Sequence, residues 1–152
     1  MERSMMNRRA WMRAAAGLWP GLLALPAQAQ VPEASALQGR WAGQGRFFDV
    51  ALHGRHGPVP FAWQIDAEGV LSGNMGQARI PPSSPRRVRD RLHYQAVLEG
   101  RVGQDEAFDR RHLVLIIDTR DGVVLDVDFH LKRRFGLDLG MSVGNVQAHR
   151  QP

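Results

Sequence analysis

Apolar and polar residues alternate along most of this chain, and the alternation starts at its first tryptophan beyond residue 30. Trp41, Gly43, Gly45 and Phe47 share one face of an extended segment. The phase then slips by one residue, and Phe48, Val50 and Leu52 carry it on, which predicts a β-bulge or a bend. His53 to Pro58 reads as a turn. Phe61, Trp63 and Ile65 alternate next, closed by the hairpin turn Asp66-Ala67-Glu68-Gly69. Residues 70–80 read as further extended chain, and the proline-rich segment 81–87 as a long loop that breaks the sheet. Leu92, Tyr94, Ala96 and Leu98 form another face, followed by a charged connector over 101–111. Leu113, Leu115 and Ile117 have Val114 and Ile116 between them, so this strand is expected to be buried on both sides. Thr119 to Gly122 marks a hairpin. Val123, Leu125, Val127, Phe129 and Leu131 then fall on one face, and residues 141–150 supply the last strand.

No ten-residue window beyond residue 30 shows a helical period. The reading is therefore all-β, with seven strands, or eight if the bulge splits the first. Consecutive antiparallel strands joined by short turns close most simply into a single up-and-down barrel, which leaves no open edge; a β-sandwich is the alternative.

The first 29 residues stand apart. Arg3, Arg8, Arg9 and Arg13 precede a weakly apolar run, Ala14 to Leu25, and an Ala-x-Ala site at Ala27-Gln28-Ala29. That order is the pattern of an export signal, and the run is too short and too broken by Gly and Pro to span a bilayer. Cleavage before Gln30 would leave 123 of the 152 residues. Residues 30–36 then form an expected flexible leader, and 37–152 a single barrel domain. Asn7-Arg8-Arg9-Ala10-Trp11-Met12-Arg13 resembles a twin-arginine signal, with Asn7, Trp11, Met12 and Arg13 where Ser or Thr, Phe, Leu and Lys are usual. An ordinary secretion signal is the alternative. Both imply a periplasmic or secreted protein.

Composition narrows the chemistry. With no cysteine, the chain has no disulfide, thiolate metal site or cysteine nucleophile. The signal accounts for three of the five net positive charges, and the remaining sixteen bases, fifteen of them Arg, nearly balance fourteen acids. Nothing in that balance favours a nucleic-acid partner. No nucleophile elbow, phosphate loop or metalloprotease helix is present, so neither an enzyme nor a cofactor is expected.

Leu37-Gln38-Gly39-Arg40-Trp41 is similar to the Gly-x-Trp opening of lipocalin- and avidin-like (calycin) barrels, and Asp66 to Gly73 resembles an early hairpin of the avidin-like ones. The resemblance implies that Trp41 plugs the closed end of a small barrel and that Arg150, from the last strand, packs across it. Two departures stand out. Only Trp41 and Trp63 lie beyond residue 30, too few for a biotin site's aromatic box, and the disulfide usual in periplasmic metalloprotease inhibitors of this fold cannot form.

Asp126, Asp128 and His130 project from one strand face at alternate positions about 7 Å apart, a spacing that could hold a divalent cation or simply face water. His53 and His56 share a turn, and could bind metal or sense pH. Arg86, Arg87, Arg89 and Arg91, and separately Lys132, Arg133 and Arg134, form basic clusters suited to an acidic partner or to solvent. Phe61, Trp63, Tyr94, Leu125, Val127 and Phe129 are the candidate lining of an apolar cavity, with Trp41 and Phe47 as further aromatic candidates. The expected function is non-enzymatic binding of a small apolar molecule. A protein-interaction module acting through its loops, as an inhibitor or envelope-assembly partner, is the alternative.

Overall fold

A computed structural model describes residues 32–103, 110–120, 123–133, 135 and 141–152. The expected export signal, residues 1–29, lies outside them. The chain runs α1 (Pro32–Ala36), β1 (Gly39–Phe47), α2 (Val50–His56), β2 (Val59–Ile65), β3 (Leu71–Met75), β4 (Ala78–Ser83), β5 (Arg86–Val88), β6 (Arg91–Val97), β7 (His112–Arg120), β8 (Val123–Lys132) and β9 (Ser142–Arg150).

All nine strands belong to one antiparallel sheet in the order β4-β3-β2-β1-β9-β8-β7-β6-β5. The fold is all-β as expected, a single curled sheet rather than a two-sheet sandwich. Each strand pairs with its sequence neighbour except at the middle of the order, where β1 meets β9 with Trp41 opposite Arg150 and Phe47 opposite Gly144. Joining first to last strand curls the sheet into a half-barrel. Its two ends come together where Arg79 and Glu99 exchange backbone hydrogen bonds of 2.9 Å, and where Ser83 Oγ donates to the Gln95 carbonyl at 2.9 Å. Between those points stand Pro81 and Pro82, which have no N–H to donate, so no regular ladder runs along this seam.

Alternation explains most of the strands. β2 buries Val59, Phe61, Trp63 and Ile65 and exposes the residues between them. β7 is buried on both faces from Leu113 to Ile117, as its unbroken apolar run predicts. The Asp66 turn is held by its own side chain, whose Oδ1 accepts from the Glu68 and Val70 amides at 3.1 and 2.7 Å.

Four segments depart from the sequence reading. Beyond Phe47 the chain leaves the sheet, and Val50 to His56 is a helix rather than a continued strand. The Asp49 carboxylate accepts the Leu52 amide at 2.8 Å and caps that helix, so the alternation of Phe48, Val50 and Leu52 has no sheet to belong to. Residues 71–83 form the β3–β4 hairpin, turning at Gly76, whose φ of 58° suits glycine. The proline-rich segment contributes the end of β4 and the first two residues of β5, which raises the strand count above seven or eight. Residues 32–36, expected within a flexible leader, form a helical turn with Ala34 fully buried.

One core cluster fills the barrel, and it is richest in rings toward the end of the sheet where β1 leads into α2. Phe129 packs at 5.4 Å from Phe47 and 5.3 Å from Phe61 between ring centroids. A β-carbon at Gly45 would strike the Phe61 ring, and one at Gly144 would strike Phe129. These two strand glycines make room for aromatic side chains.

Candidate functional site

Antiparallel order sends the chain ends, the β2–β3 turn and the β5–β6 turn to one end of the barrel. The β1–β2 connection, the β3–β4 turn and the β6–β7 connection go to the other.

The first end is sealed. Leu37 is fully buried, and the Trp41 indole donates to its carbonyl at 3.0 Å. The Arg150 guanidinium lies 5.1 Å from the centre of the Trp41 ring and donates to the Ala36 carbonyl at 3.2 Å. The Tyr94 hydroxyl donates to the Gly69 carbonyl at 3.1 Å, and burial, with Asp66 adding to it, drives its pKa well above the ordinary tyrosine value. Tyr94 is thus a neutral hydrogen-bond donor, spent on the closure.

The opposite end opens into a cleft of about 690 Å³. Phe47 and Val59 form its floor, and Pro58 and Pro60 extend the apolar surface. Gly76 and Gln77 of the β3–β4 turn stand against Val102, where a β-carbon at Gly76 would collide with the Val102 carbonyl. Arg55 and His56, from the last turn of α2, line the same cleft, and the His56 ring lies 6.1 Å from that of Phe47.

The expected cavity residues lie elsewhere. Phe61, Trp63, Tyr94, Val127 and Phe129 are at most 3% exposed and pack into the core, and none of them lines the cleft at the open end. Phe47 does. Leu125 belongs to β8, but its side chain lies outside the described residues. The buried Trp63 indole nitrogen has no hydrogen-bond partner among the described residues, in contrast to Trp41.

Asp126, Asp128 and His130 do share the outer face of β8, but among the described residues no three acidic or imidazole groups stand close enough to hold a metal ion. Asn145, on β9, donates to both carboxylates, at 3.3 Å to Asp128. Arg91 reaches Asp118 at 3.5 Å and Asp128 at 3.8 Å. Cross-strand partners thus take up the carboxylates a cation would need. His130 and His93 flank the apolar Val114 and Ile116 of β7. Burial is the main cause lowering both pKa values. For His93, His130, Arg91 and Arg86 lower it further, while for His130 Lys132 adds to the effect and Asp128 opposes it.

The first basic cluster is a hairpin rather than a loop. Arg86 and Arg87 lie in β5, Arg91 in β6, and Arg87 Nε donates to the carbonyl of Arg89 in the turn between them. Of the second cluster, Lys132 ends β8 and Arg133 follows it, while Arg134 lies outside the described residues. His53 and His56 sit together in α2.

Pro58, Pro60, Gln77, Val102 and Gly103 were not among the expected site residues. All but Pro60, an exposed position of β2, come from connections, where no period marks them. No protein family, curated protein or solved structure matches the chain.

Proposed function

We propose that this chain is an exported, non-enzymatic binding protein of calycin-like build, which holds a small, largely apolar molecule in the cleft at its open end. The observation that carries the reading is the cleft itself. Its volume of about 690 Å³ falls in the range of small-molecule sites, and its floor is apolar and aromatic. The sealed opposite end supports it, since Trp41 under Arg150 is the arrangement implied by the Gly-x-Trp resemblance. The site is the mouth of the barrel rather than its interior, which aromatic side chains occupy. Export to the periplasm or beyond rests on residues 1–29, and the mass of the secreted product should begin at Gln30.

Native mass spectrometry of the purified protein, with calorimetric titration of apolar ligands, tests the reading. A saturable one-to-one complex that Gln77→Trp abolishes is expected, because an indole at this exposed turn would fill the cleft without disturbing the core. No saturable binding by any apolar ligand would sink it.

A protein-interaction module is the second reading, favoured by the exposed apolar residues at the same end: Phe48 at 62%, Val50 at 85% and Met141 at 40%. A stoichiometric protein partner lost on Phe48→Ser, with no small-molecule binding, would replace the first reading with this one.

A further inference from the structure

We propose that the ligand of the open-end cleft is an amphipathic acid, with its anionic head on Arg55 at the rim and its apolar chain along Phe47, Val59 and Val102. The inference rests on the binding reading above and adds the chemistry of the head group.

Among the described residues, the cleft's charged or amide-bearing side chains are Arg55, His56 and Gln77, and none of its lining residues carries a carboxylate. Arg55 can offer only donors, and Gln77, on the opposite wall, can offer two more. Arg55 has no ion pair among the described residues. Other arginines have partners: Arg79 pairs with Glu99 at 3.1 Å, Arg91 with Asp118 and Asp128, and Arg150 covers Trp41.

Among the described residues, two nearby features could have opposed an anion, and both are already committed. Asp49, the acid of the β1–β2 connection, caps the far end of α2 through Leu52. The His53 carbonyl in the last turn accepts from the Gly57 amide at 2.8 Å, so it does not face the cleft as an unsatisfied acceptor. A planar guanidinium over an apolar floor matches a carboxylate on an aliphatic or aromatic body, since it can take both oxygens at once. An alcohol would use one donor and an amine none.

Isothermal titration calorimetry of the purified protein with decanoate, decanol and decylamine at pH 7.5 separates these. Decanoate should bind about tenfold more tightly than decanol, the gain typical of a charge-assisted hydrogen bond, and decylamine most weakly. Arg55→Met should bring decanoate down to the decanol level while decanol affinity is unchanged, and Arg55→Lys should keep part of the preference. Arg55 is exposed and has no ion pair among the described residues, so both variants should retain the wild-type circular dichroism. Equal binding of decanoate and decanol, or a preference that survives Arg55→Met, overturns the acid head and leaves the cleft as a binding site. Failure of all three ligands to bind overturns the acid head together with the binding reading beneath it.

Discussion

Trp41 and Trp63 face each other in register across β1 and β2, yet their indole nitrogens end differently. Trp41 donates to Leu37 and lies under a guanidinium, while the Trp63 nitrogen is buried with no acceptor among the described residues. The same substitution should therefore have unequal effects. Trp41→Phe strands the Leu37 carbonyl and weakens the cation–π contact, at a cost of about 2 kcal/mol. Trp63→Phe leaves a small cavity but removes an unsatisfied donor, so its net cost should stay below about 1 kcal/mol. Chemical denaturation of the two variants measures the difference directly, and equal losses would remove the distinction. The Trp41–Arg150 pairing was expected only because the Gly-x-Trp segment resembles that of calycin barrels, which implies an arginine of the last strand across the ring. The unpartnered Trp63 nitrogen was not, because hydrogen-bond satisfaction depends on what a distant strand presents.

At the scale of elements, strands whose alternation meets a continuous neighbour were the readable ones: β2, β6, β7 and β8 each set large apolar residues two apart. α2 was not readable. Seven residues with a glycine at position 54 are too few to display a 3.6-residue period, and only the Asp49 cap marked the change. β5, three residues between prolines and a turn, carries no pattern of its own. The cleft inherits this difficulty, since its walls are the connections. The outer face of β6 to β8 offers a separate test. His93 and His130 have folded-state pKa values below the ordinary histidine value, so as pH falls the unfolded chain takes up protons before the folded one. Their contribution is fully present above about pH 6.5 and is lost below it. The urea midpoint should fall between pH 7.5 and 5.5, and the double variant His93→Gln, His130→Gln should flatten that part of the dependence. An unchanged slope would show that the two imidazoles carry none of it.

Seen as a whole molecule, the sealed end of the barrel depends also on a residue that belongs to no strand. Leu37 lies in the short link between α1 and β1, where sequence position alone would suggest tolerance, but it is fully buried beside Trp41. Leu37→Ala should cost about 2–5 kcal/mol, as for a leucine in a packed core, and lower the melting temperature of the entire domain in one transition. A loss under 0.5 kcal/mol, the usual size for a surface site, would show that the seal is dispensable. The pairing of β1 with β9 has a consequence in time as well as in space. A chain made from its N-terminus finishes β1 well before β9, the strand that covers its second edge, has emerged. Arg150 reaches back to Ala36 across 114 positions of sequence. Until β9 has been made, the nascent sheet keeps a bare edge and an unstoppered end, so a product that stops short of β9 loses its closure rather than a peripheral strand.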